Sequence, residues 1–362
     1  MGFNCGIVGL PNVGKSTLFN ALTQTAAAQA MNYPFCTLEP NVGVVGVPDL
    51  RLLKLASMAK SAKIIPSQLE IVDIAGLVKG ASNGEGLGNQ FLGHIRGTDA
   101  ILQVVRCFED PDITHVHGSV DPLRDIAVVE MELMLADLES LKKKEAAISK
   151  KANAEPGAKS FLTKALDWLE GGNMLRQLEL GTEELAFAAT LHPITAKPIL
   201  YVCNVGESDV ANGNQLTKIV GEFARDRDSR CTVVSAAIEA EIAVMNDEAE
   251  KNEYIASLGL AESGLARVIR NGHDLLNLIT FFTVGPQEAR AWTVSRGAKA
   301  PVAAGVIHTD FERGFICAET IAYDDYVTCG GESGAKSVGK MRLEGKEYVV
   351  QDGDVFHFRF NV

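Results

Sequence analysis

The eight residues GLPNVGKS at positions 9–16 constrain the fold more than any other part of the chain. A short apolar run at residues 3–8 precedes them, and residues 15–23 have the pattern of a helix, so the segment joins a strand to a helix. Gly9 and Gly14 stand where the backbone must curl so that successive N–H groups and the helix N-terminus face an anion. This pattern is typical of loops that bind the phosphates of a nucleoside triphosphate.

Side chains at the end of this loop have predicted roles on the phosphates. The ammonium of Lys15 is expected to reach the β- and γ-phosphates, where it also serves catalysis, and the hydroxyl of Ser16 is expected to bind Mg²⁺. The residues predicted to contact the nucleotide here are Asn12, Val13, Gly14, Lys15, Ser16 and Thr17. They place the phosphate end of the site at the start of the first helix.

A second motif, DIAG at residues 73–76, follows another apolar strand. Asp73 is expected to hold Mg²⁺ through water, and the Gly76 amide is expected to contact the γ-phosphate and to act in catalysis. Before this motif, the hydroxyl of Thr37 is predicted to complete the Mg²⁺ shell when a triphosphate is bound. The glycine-rich residues 79–88 are predicted to form a second switch, because their backbone is too free to be rigid.

Further apolar runs predict a parallel α/β domain. Buried strands are predicted at residues 69–73, 100–105 and 198–203. Together with the first strand they indicate one sheet with helices between its strands. We therefore assign residues 1–125 and 198–277 to a nucleotide-binding domain.

The pattern differs in the two remaining parts of the chain. Residues 126–197 are predicted to form an inserted helical hairpin, because five apolar residues fall at the spacing of a coiled-coil seam: Met131, Met134, Leu138, Leu141 and Ile148. Short β runs at residues 279–284, 291–294 and 355–362 predict a small half-buried sheet. The third predicted unit is therefore residues 278–362.

Composition limits the classes of function. The chain has 362 residues, of which 46% are hydrophobic and 22% charged. No run approaches the roughly 18 to 20 apolar residues of a membrane helix, and the first residues lack the pattern of a secretory signal, so we expect a cytoplasmic protein without membrane contact. A net charge of −12 argues against broad non-specific nucleic-acid binding. The seven cysteines are scattered without the spacing of a metal site.

Four segments carry a resemblance to a known family: GLPNVGKST, YPFCT, DIAGLVKGAS and GEGLGNQF. They resemble the Obg-related branch of the translation-factor-type GTPases, and the insertion and C-terminal sheet are similar to those of the Obg-like ATPases within it. The resemblance covers essentially the whole chain. It implies a Ras-like P-loop domain, a coiled-coil hairpin insertion and a C-terminal β-grasp (TGS) domain at about residues 278–361. It also implies the ribosome as a partner.

A short basic run in the last unit is the candidate contact with RNA phosphate. It comprises Lys336, Lys340, Arg342 and Lys346. The alternative is a solvated sheet edge with no partner. The chain itself is expected to be a monomer.

The segment Asn204-Val205-Gly206-Glu207 bears on which base is bound. Guanine-specific relatives have Asn-Lys-x-Asp here, and the longer Glu207 would not place its carboxylate where the Asp does. Val205 also removes the lysine stem that covers the ring, so guanine selectivity should be lost. Asn204 is expected to meet adenine at N7 and at the exocyclic amine, which predicts that ATP binds better than GTP.

A base loop and an alternative complete this prediction. Ser235 and Ala236 follow a predicted strand and resemble the loop that contacts the base through its backbone. An ordinary GTPase remains the alternative if Glu207 reaches guanine after all.

Hydrolysis is expected to be slow. Ras-like enzymes orient the attacking water with a Gln just after DxxG, whereas this chain has Leu77, which forms no hydrogen bond. His94, His115 and His117 are the candidates to replace it. His115 is favoured because it lies in a predicted loop after a strand and because a histidine in the matching segment is the family's proposed catalytic residue.

Asn12 has two possible roles. In some relatives an Asn at this position helps to bind K⁺, which supplies positive charge near the phosphates, and the alternative is that Asn12 only shapes the loop. The sequence thus predicts a slow ATPase that switches binding to the translation machinery. A nucleotide-sensing adaptor, in which hydrolysis is incidental, is the second hypothesis.

Overall fold

The protein is represented by a computed structural model that describes residues 3–30, 42–74, 87–149 and 155–361. In chain order the strands are β1 (Phe3–Val8), β2 (Val42–Gly46), β3 (Lys63–Ile65), β4 (Gln68–Asp73), β5 (Ala100–Arg106), β6 (Ile199–Asn204), β7 (Arg230–Val234), β8 (Leu278–Val284), β9 (Glu288–Ser295), β10 (Phe315–Ala322), β11 (Arg342–Glu344) and β12 (Asp354–Phe360). These strands form two separate sheets.

Helices cover both sheets. They are α1 (Lys15–Ala30), α2 (Leu50–Ala59), α3 (Leu87–Arg96), α4 (Pro122–Ile148), α5 (Ala158–Glu170), α6 (Thr182–Leu191), α7 (Gln215–Arg225), α8 (Ala236–Val244), α9 (Glu248–Ser257), α10 (Gly264–Leu275), α11 (Ala300–Ile307), α12 (Thr309–Arg313), α13 (Tyr323–Thr328) and α14 (Glu332–Ser337). Short 3₁₀ turns occur at Leu175–Gln177, Ile194–Ala196 and Glu207–Asp209. None of the helices in the described ranges is long and apolar enough to cross a membrane.

The first sheet has the strand order β2-β4-β1-β5-β6-β7. All neighbouring pairs are parallel except β2 and β4, which are antiparallel. The central strands β5 and β6 are buried along their whole length, which explains their largely apolar sequences. The predicted parallel α/β domain is therefore present, and the carboxyl ends of its parallel strands lie along one edge.

The second sheet has the order β11-β10-β12-β8-β9-β3. Its core contains the packed rings of Phe281, Phe356 and Phe358. The edge strand β3 comes from far earlier in the chain and pairs in parallel with β9. This pairing was not predicted from the sequence.

The helix α2 accompanies β3 into this second unit. Leu52 and Leu55 on α2 are buried with Phe282 of β8 in one apolar cluster. Residues 50–65 therefore pack with the C-terminal sheet, although they lie within the range assigned to the nucleotide-binding domain. The division of the chain into three units stays a prediction, with this segment as its qualification.

The insertion is built on the long helix α4. Its first half belongs to the core of the first sheet through residues such as Ile126 and Leu133. Its second half forms a separate core with α5 and α6, to which Leu141 and Phe161 contribute. The prediction of a seam through Met131 is wrong, because this side chain is 57% exposed. The seam begins further along the helix, and α6 adds a helix that was not predicted.

Candidate nucleotide site

The predicted phosphate loop, residues 9–14, follows β1 at the carboxyl edge of the first sheet. At the same edge stand the segments after β5, β6 and β7, since carboxyl ends of parallel strands meet there. Together these segments enclose a cavity of about 730 Å³. Of the predicted nucleotide contacts, Asn12, Gly14, Thr17, Asn204, Val205, Glu207, Ser235 and Ala236 line this cavity.

Two glycines are required by the geometry of the loop. Gly14 has φ +93°, and a Cβ on it would lie 2.2 Å from Nδ2 of Asn204. A Cβ on Gly9 would lie 2.8 Å from the carbonyl oxygen of Val104. Immediately after Gly14 the helix α1 begins, and the N–H of Leu18 donates to the Gly14 carbonyl at 3.0 Å. Earlier N–H groups of α1 are therefore free to bind an anion at this end.

The two predicted motifs meet through an ion pair. The Lys15 ammonium contacts the Asp73 carboxylate, and Lys15 is only 8% exposed. A phosphate would compete for Lys15, and a cation would compete for Asp73. The Ser16 hydroxyl and the Asp73 carboxylate are the hard oxygen donors that Mg²⁺ prefers, so these residues fit the ion. Within the described residues no cluster of three or more His, Cys, Asp or Glu could hold a metal.

Asn204 has a structural role besides the predicted reading of adenine. Its Nδ2 donates to the Val13 carbonyl at 2.9 Å, and its Oδ1 accepts from the Ala236 N–H at 2.9 Å. The residue is 4% exposed. Because both polar atoms of the amide bind the backbone, Asn204 ties the phosphate loop to the base loop. One N–H and one lone pair of the amide take no part in these two bonds, and Asn204 lines the cavity, so its contact with adenine stays a prediction.

Other predicted residues of the base end lie around this tie. The Val205 N–H donates to the Val234 carbonyl at 2.8 Å, and the Val205 side chain is buried. Glu207 begins a 3₁₀ turn and is exposed. The hydroxyl of Ser235 is buried with no hydrogen-bond partner in the described part of the chain. A ligand atom in the cavity would satisfy it, and this unpaired group fits a polar base.

Sequence reasoning missed the segment after β5. Phe108, Glu109, Asp110 and Ile113 line the same cavity. Its position could have indicated a role, because the segment follows β5, which pairs with β1, at the carboxyl edge of the sheet. The segment carries no known motif, however. With Glu207, the two carboxylates make the cavity rim acidic, and no lysine or arginine is found among the described residues that line it.

His115 lies in this segment but not in the cavity. Its Nε2 is 2.8 Å from Oδ2 of Asp125, in the first turn of α4, and its Nδ1 accepts from the His117 N–H at 3.1 Å. The residue is 7% exposed. Both ring nitrogens are therefore occupied, and His115 cannot activate water in this arrangement. His94 and His117, the other candidates, are exposed.

Asn12 has a contact that fits the second of its two predicted roles, the shaping of the loop. Its Nδ2 donates to the Thr114 carbonyl at 3.1 Å, so that it links the phosphate loop to the segment that holds His115. The left-handed backbone of Asn12, with φ 62°, helps the loop to turn. Nothing in this geometry requires K⁺. The predicted Thr37, Gly76 and Leu77, and residues 79–86 of the second switch, lie outside the described residues.

The fold and the loop define a P-loop nucleotide-binding protein with the domain of Ras-like GTPases. Residues 4–150 match the family model described as "50S ribosome-binding GTPase", and residues 278–361 match YchF-GTPase_C, "Protein of unknown function (DUF933)". The chain belongs to the YchF family. It is 56% identical to "Ribosome-binding ATPase YchF" of Haemophilus influenzae and 53% identical to that of Bacillus subtilis, with 100% of each chain covered.

A solved structure supports the same assignment. The YchF GTPase of Schizosaccharomyces pombe is 37% identical, with a TM-score of 0.88, and the match covers 99% of this chain and 98% of that one. The resemblance stated from the sequence motifs is thereby confirmed. The fold class, a P-loop domain with an inserted helical unit and a C-terminal sheet, is confirmed as well.

Proposed function

We propose that this protein binds ATP in preference to GTP, hydrolyses it slowly with Mg²⁺, and uses the bound state to control its binding to the ribosome. The observation that carries the proposal is the cavity that runs from Gly14 and Thr17, beside the Lys15–Asp73 pair, to the segment from Asn204 to Glu207. The first end suits a triphosphate with a cation. The second lacks the lysine and aspartate of guanine-specific sites. The relatives named as ribosome-binding ATPases support both parts of the proposal.

The catalytic assignment follows from the chemistry of these groups. Lys15 would bind the β- and γ-phosphates and neutralise the charge that develops on them. Ser16 and Asp73 would hold Mg²⁺, Asp73 through water. Thr37 would complete the Mg²⁺ shell and the Gly76 amide would contact the γ-phosphate; both residues lie outside the described ranges. The bound ion would supply electrostatic stabilisation of the transferred phosphoryl group. K⁺ remains a proposal that rests on Asn12 alone.

Slow turnover follows from the position of His115. Its two ring nitrogens bind Asp125 and the His117 N–H, so it must leave these partners before it acts on water. A partner that moves α4 would provide this release, because Asp125 lies on that helix. The ribosome is the proposed partner, and a monomer in the cytoplasm is the proposed working form.

The basic run offers limited support for an RNA contact. Lys340 pairs with Asp325 at 3.1 Å, and Arg342 lies 3.7 Å from Asp354. Both cations are half exposed, and such pairs are weak enough to exchange for phosphate. Lys336 and Lys346 extend the run.

Competitive titration of ATP against GTP tests the nucleotide. We expect tighter binding of ATP, and a tenfold preference for GTP would refute the assignment and favour a GTPase with a divergent base segment. Turnover with and without ribosomes then separates the switch from the second candidate. Stimulation favours the switch enzyme. Indifference, together with salt-independent failure to co-sediment, favours the nucleotide-sensing adaptor, for which the sequestered His115 is the supporting observation.

A further inference from the structure

Behind residues 108–113, at the base end of the cavity, lies a buried cation that no part of the mechanism uses. Arg106, the last residue of β5, is 1% exposed. No carboxylate lies within ion-pair distance of its guanidinium in the described ranges of the chain. Burial of an unpaired charge is costly, so such a group persists only where other polar atoms replace its water.

Backbone carbonyls of the next segment supply that replacement. Nε donates to the carbonyl of Phe108 at 3.1 Å, Nη1 to that of Ile113 at 2.9 Å, and Nη2 to that of Asp110 at 3.3 Å. The guanidinium also lies 4.5 Å from the centroid of the Phe108 ring. One side chain therefore holds three points of residues 108–113 and the aromatic ring within them.

The residues held in this way are those that line the nucleotide cavity. Phe108, Asp110 and Ile113 line it together with the segment that begins at Asn204. Because the three carbonyl oxygens accept from Arg106, we infer that these residues contact a ligand in the cavity through their side chains. Their part of the cavity wall is thus an aromatic ring, an aliphatic side chain and a carboxylate. A purine base fits such a wall, through contact with its flat faces and donation from an exocyclic amine.

The segment that begins at Asn204 leaves the choice of base open. Asn204, predicted to read the base, is bound to the Val13 carbonyl and the Ala236 N–H. These bonds limit what Asn204 alone can read, so selectivity also depends on the shape and polarity of the remaining surface, which includes residues 108–113. We propose that Arg106 is a positioning residue for the base: it fixes this wall and so sets the part of the nucleotide affinity that depends on the base. The inference rests on the proposed nucleotide-binding function.

Lysine cannot take the place of Arg106. Three carbonyls around a planar fork match the guanidinium, whereas an ammonium presents its donors from one nitrogen and cannot reach all three in the same geometry. Arg106→Lys keeps the positive charge but loses the hydrogen bonds that fix residues 108–113. Phe108→Leu keeps the three backbone carbonyls that accept from Arg106 and removes only the ring, on a residue that is half-buried.

The test compares nucleotides with inorganic tripolyphosphate, which has the phosphate chain but no base. Dissociation constants of ATP, GTP and Mg²⁺-tripolyphosphate are measured by calorimetry on the full chain. We expect Arg106→Lys to lower the ratio of ATP affinity to tripolyphosphate affinity about tenfold, and Phe108→Leu about threefold, with tripolyphosphate binding unchanged. Arg227→Lys is the matched control, because the Arg227 guanidinium also lies over a ring, that of Phe223 at 3.8 Å, away from the cavity.

Each outcome has one meaning. An unchanged ratio in Arg106→Lys, or a parallel loss of ATP and tripolyphosphate affinity, would overturn the positioning role. If Arg106→Lys does not fold, Phe108→Leu decides: an unchanged ratio there also overturns it. Failure of the proposed function looks different, since wild-type protein would then bind ATP no better than tripolyphosphate. A preference for GTP in the wild type would change the named base without affecting the ratio test.

Discussion

The phosphate end and the base end of the cavity are built in different ways. The phosphate end is local: one loop with Gly14 at φ +93° leads directly into α1. The base end is assembled from segments that follow β5, β6 and β7, and two buried side chains, Arg106 and Asn204, hold those segments by their backbones. Phosphate binding thus depends on the conformation of one short loop, whereas base binding depends on side chains that fix loops to each other.

This difference predicts different responses to substitution. A change in the phosphate loop should affect every ligand that carries phosphates, because the backbone amides bind them all. A change in the base end should affect stability or selectivity and leave phosphate binding in place.

Gly14→Ala should have the largest effect. A Cβ here meets Nδ2 of Asn204 at 2.2 Å and forces an alanine into the left-handed region, which we expect to weaken ATP and tripolyphosphate alike by about a hundredfold. Calorimetric titration measures both. Gly172→Ala is the control, because Gly172 also has positive φ, +79°, but its Cβ would meet nothing within 4 Å. Selective loss of ATP binding alone would contradict the comparison.

Asn204→Ala should cost stability rather than selectivity. The substitution leaves the Val13 carbonyl and the Ala236 N–H without their partner, for a loss of about 2 kcal/mol in the free energy of unfolding. Urea denaturation measures this loss, and nucleotide titration of the folded variant should give an unchanged ratio of ATP to GTP affinity. Should that ratio collapse while stability is retained, Asn204 reads the base after all.

Glu239→Gln tests whether a buried carboxyl on α8, the helix that follows the base loop, makes stability depend on pH. Burial raises the pKa of the Glu239 carboxyl, although one oxygen accepts from the Gly264 N–H at 2.6 Å. The folded protein therefore binds this proton more tightly than the unfolded chain. Wild-type stability should fall as the pH rises from the ordinary glutamate pKa towards the raised one, by at most about 1.4 kcal/mol per pH unit.

In Glu239→Gln the contribution of this carboxyl to the slope should be lost, because the amide does not ionise, and stability should fall less steeply with pH than in the wild type. The free energy of unfolding is measured across pH 4 to about 8 for both proteins. Glu241→Gln, on the exposed face of the same helix, is the control and should keep the wild-type slope. Identical slopes in wild type and Glu239→Gln would show that the buried carboxyl does not titrate there.

Asp125→Asn should have the smallest effect. It concerns the contact between His115, in the segment after β5, and Asp125 on α4. It weakens the contact that holds His115 beside α4, so the histidine is released more often and steady-state ATP turnover should rise about threefold. Asp121→Asn is the control, since Asp121 caps the same helix without touching His115. The rise must disappear when His115→Ala is added. A fall in turnover would instead make Asp125 a partner in catalysis.

The phosphate end could be predicted because its signal is contiguous. The strand β1, the loop from Gly9 to Ser16 and the start of α1 lie within a few residues of each other, and the apolar pattern of β4 placed Asp73 beside them. The partners of Asn204 are 191 and 32 residues away. An asparagine at this position can contact the base or hydrogen-bond to distant backbone groups, and only the tertiary structure shows that Asn204 binds the Val13 carbonyl and the Ala236 N–H.

His115 and β3 illustrate the same limit. The sequence indicates a loop histidine but not that Asp125 would occupy its Nε2. Residues 63–65 form too short a strand to indicate which sheet they join, and their pairing with β9 depends on the position of the whole C-terminal unit. Arg106 was overlooked because a charged residue at a strand end is ordinarily exposed.

The pairing of β3 with β9 has a consequence for cutting the chain. A protein that ends at residue 277 would lose the sheet but keep α2 and β3, so that Leu52 and Leu55 would face water where they now contact Phe282 and its neighbours. A fragment that starts at residue 278 would lack the strand that covers the edge of β9, and an uncovered strand edge invites pairing with other chains. The C-terminal unit is contiguous in its family model but not self-sufficient in its structure.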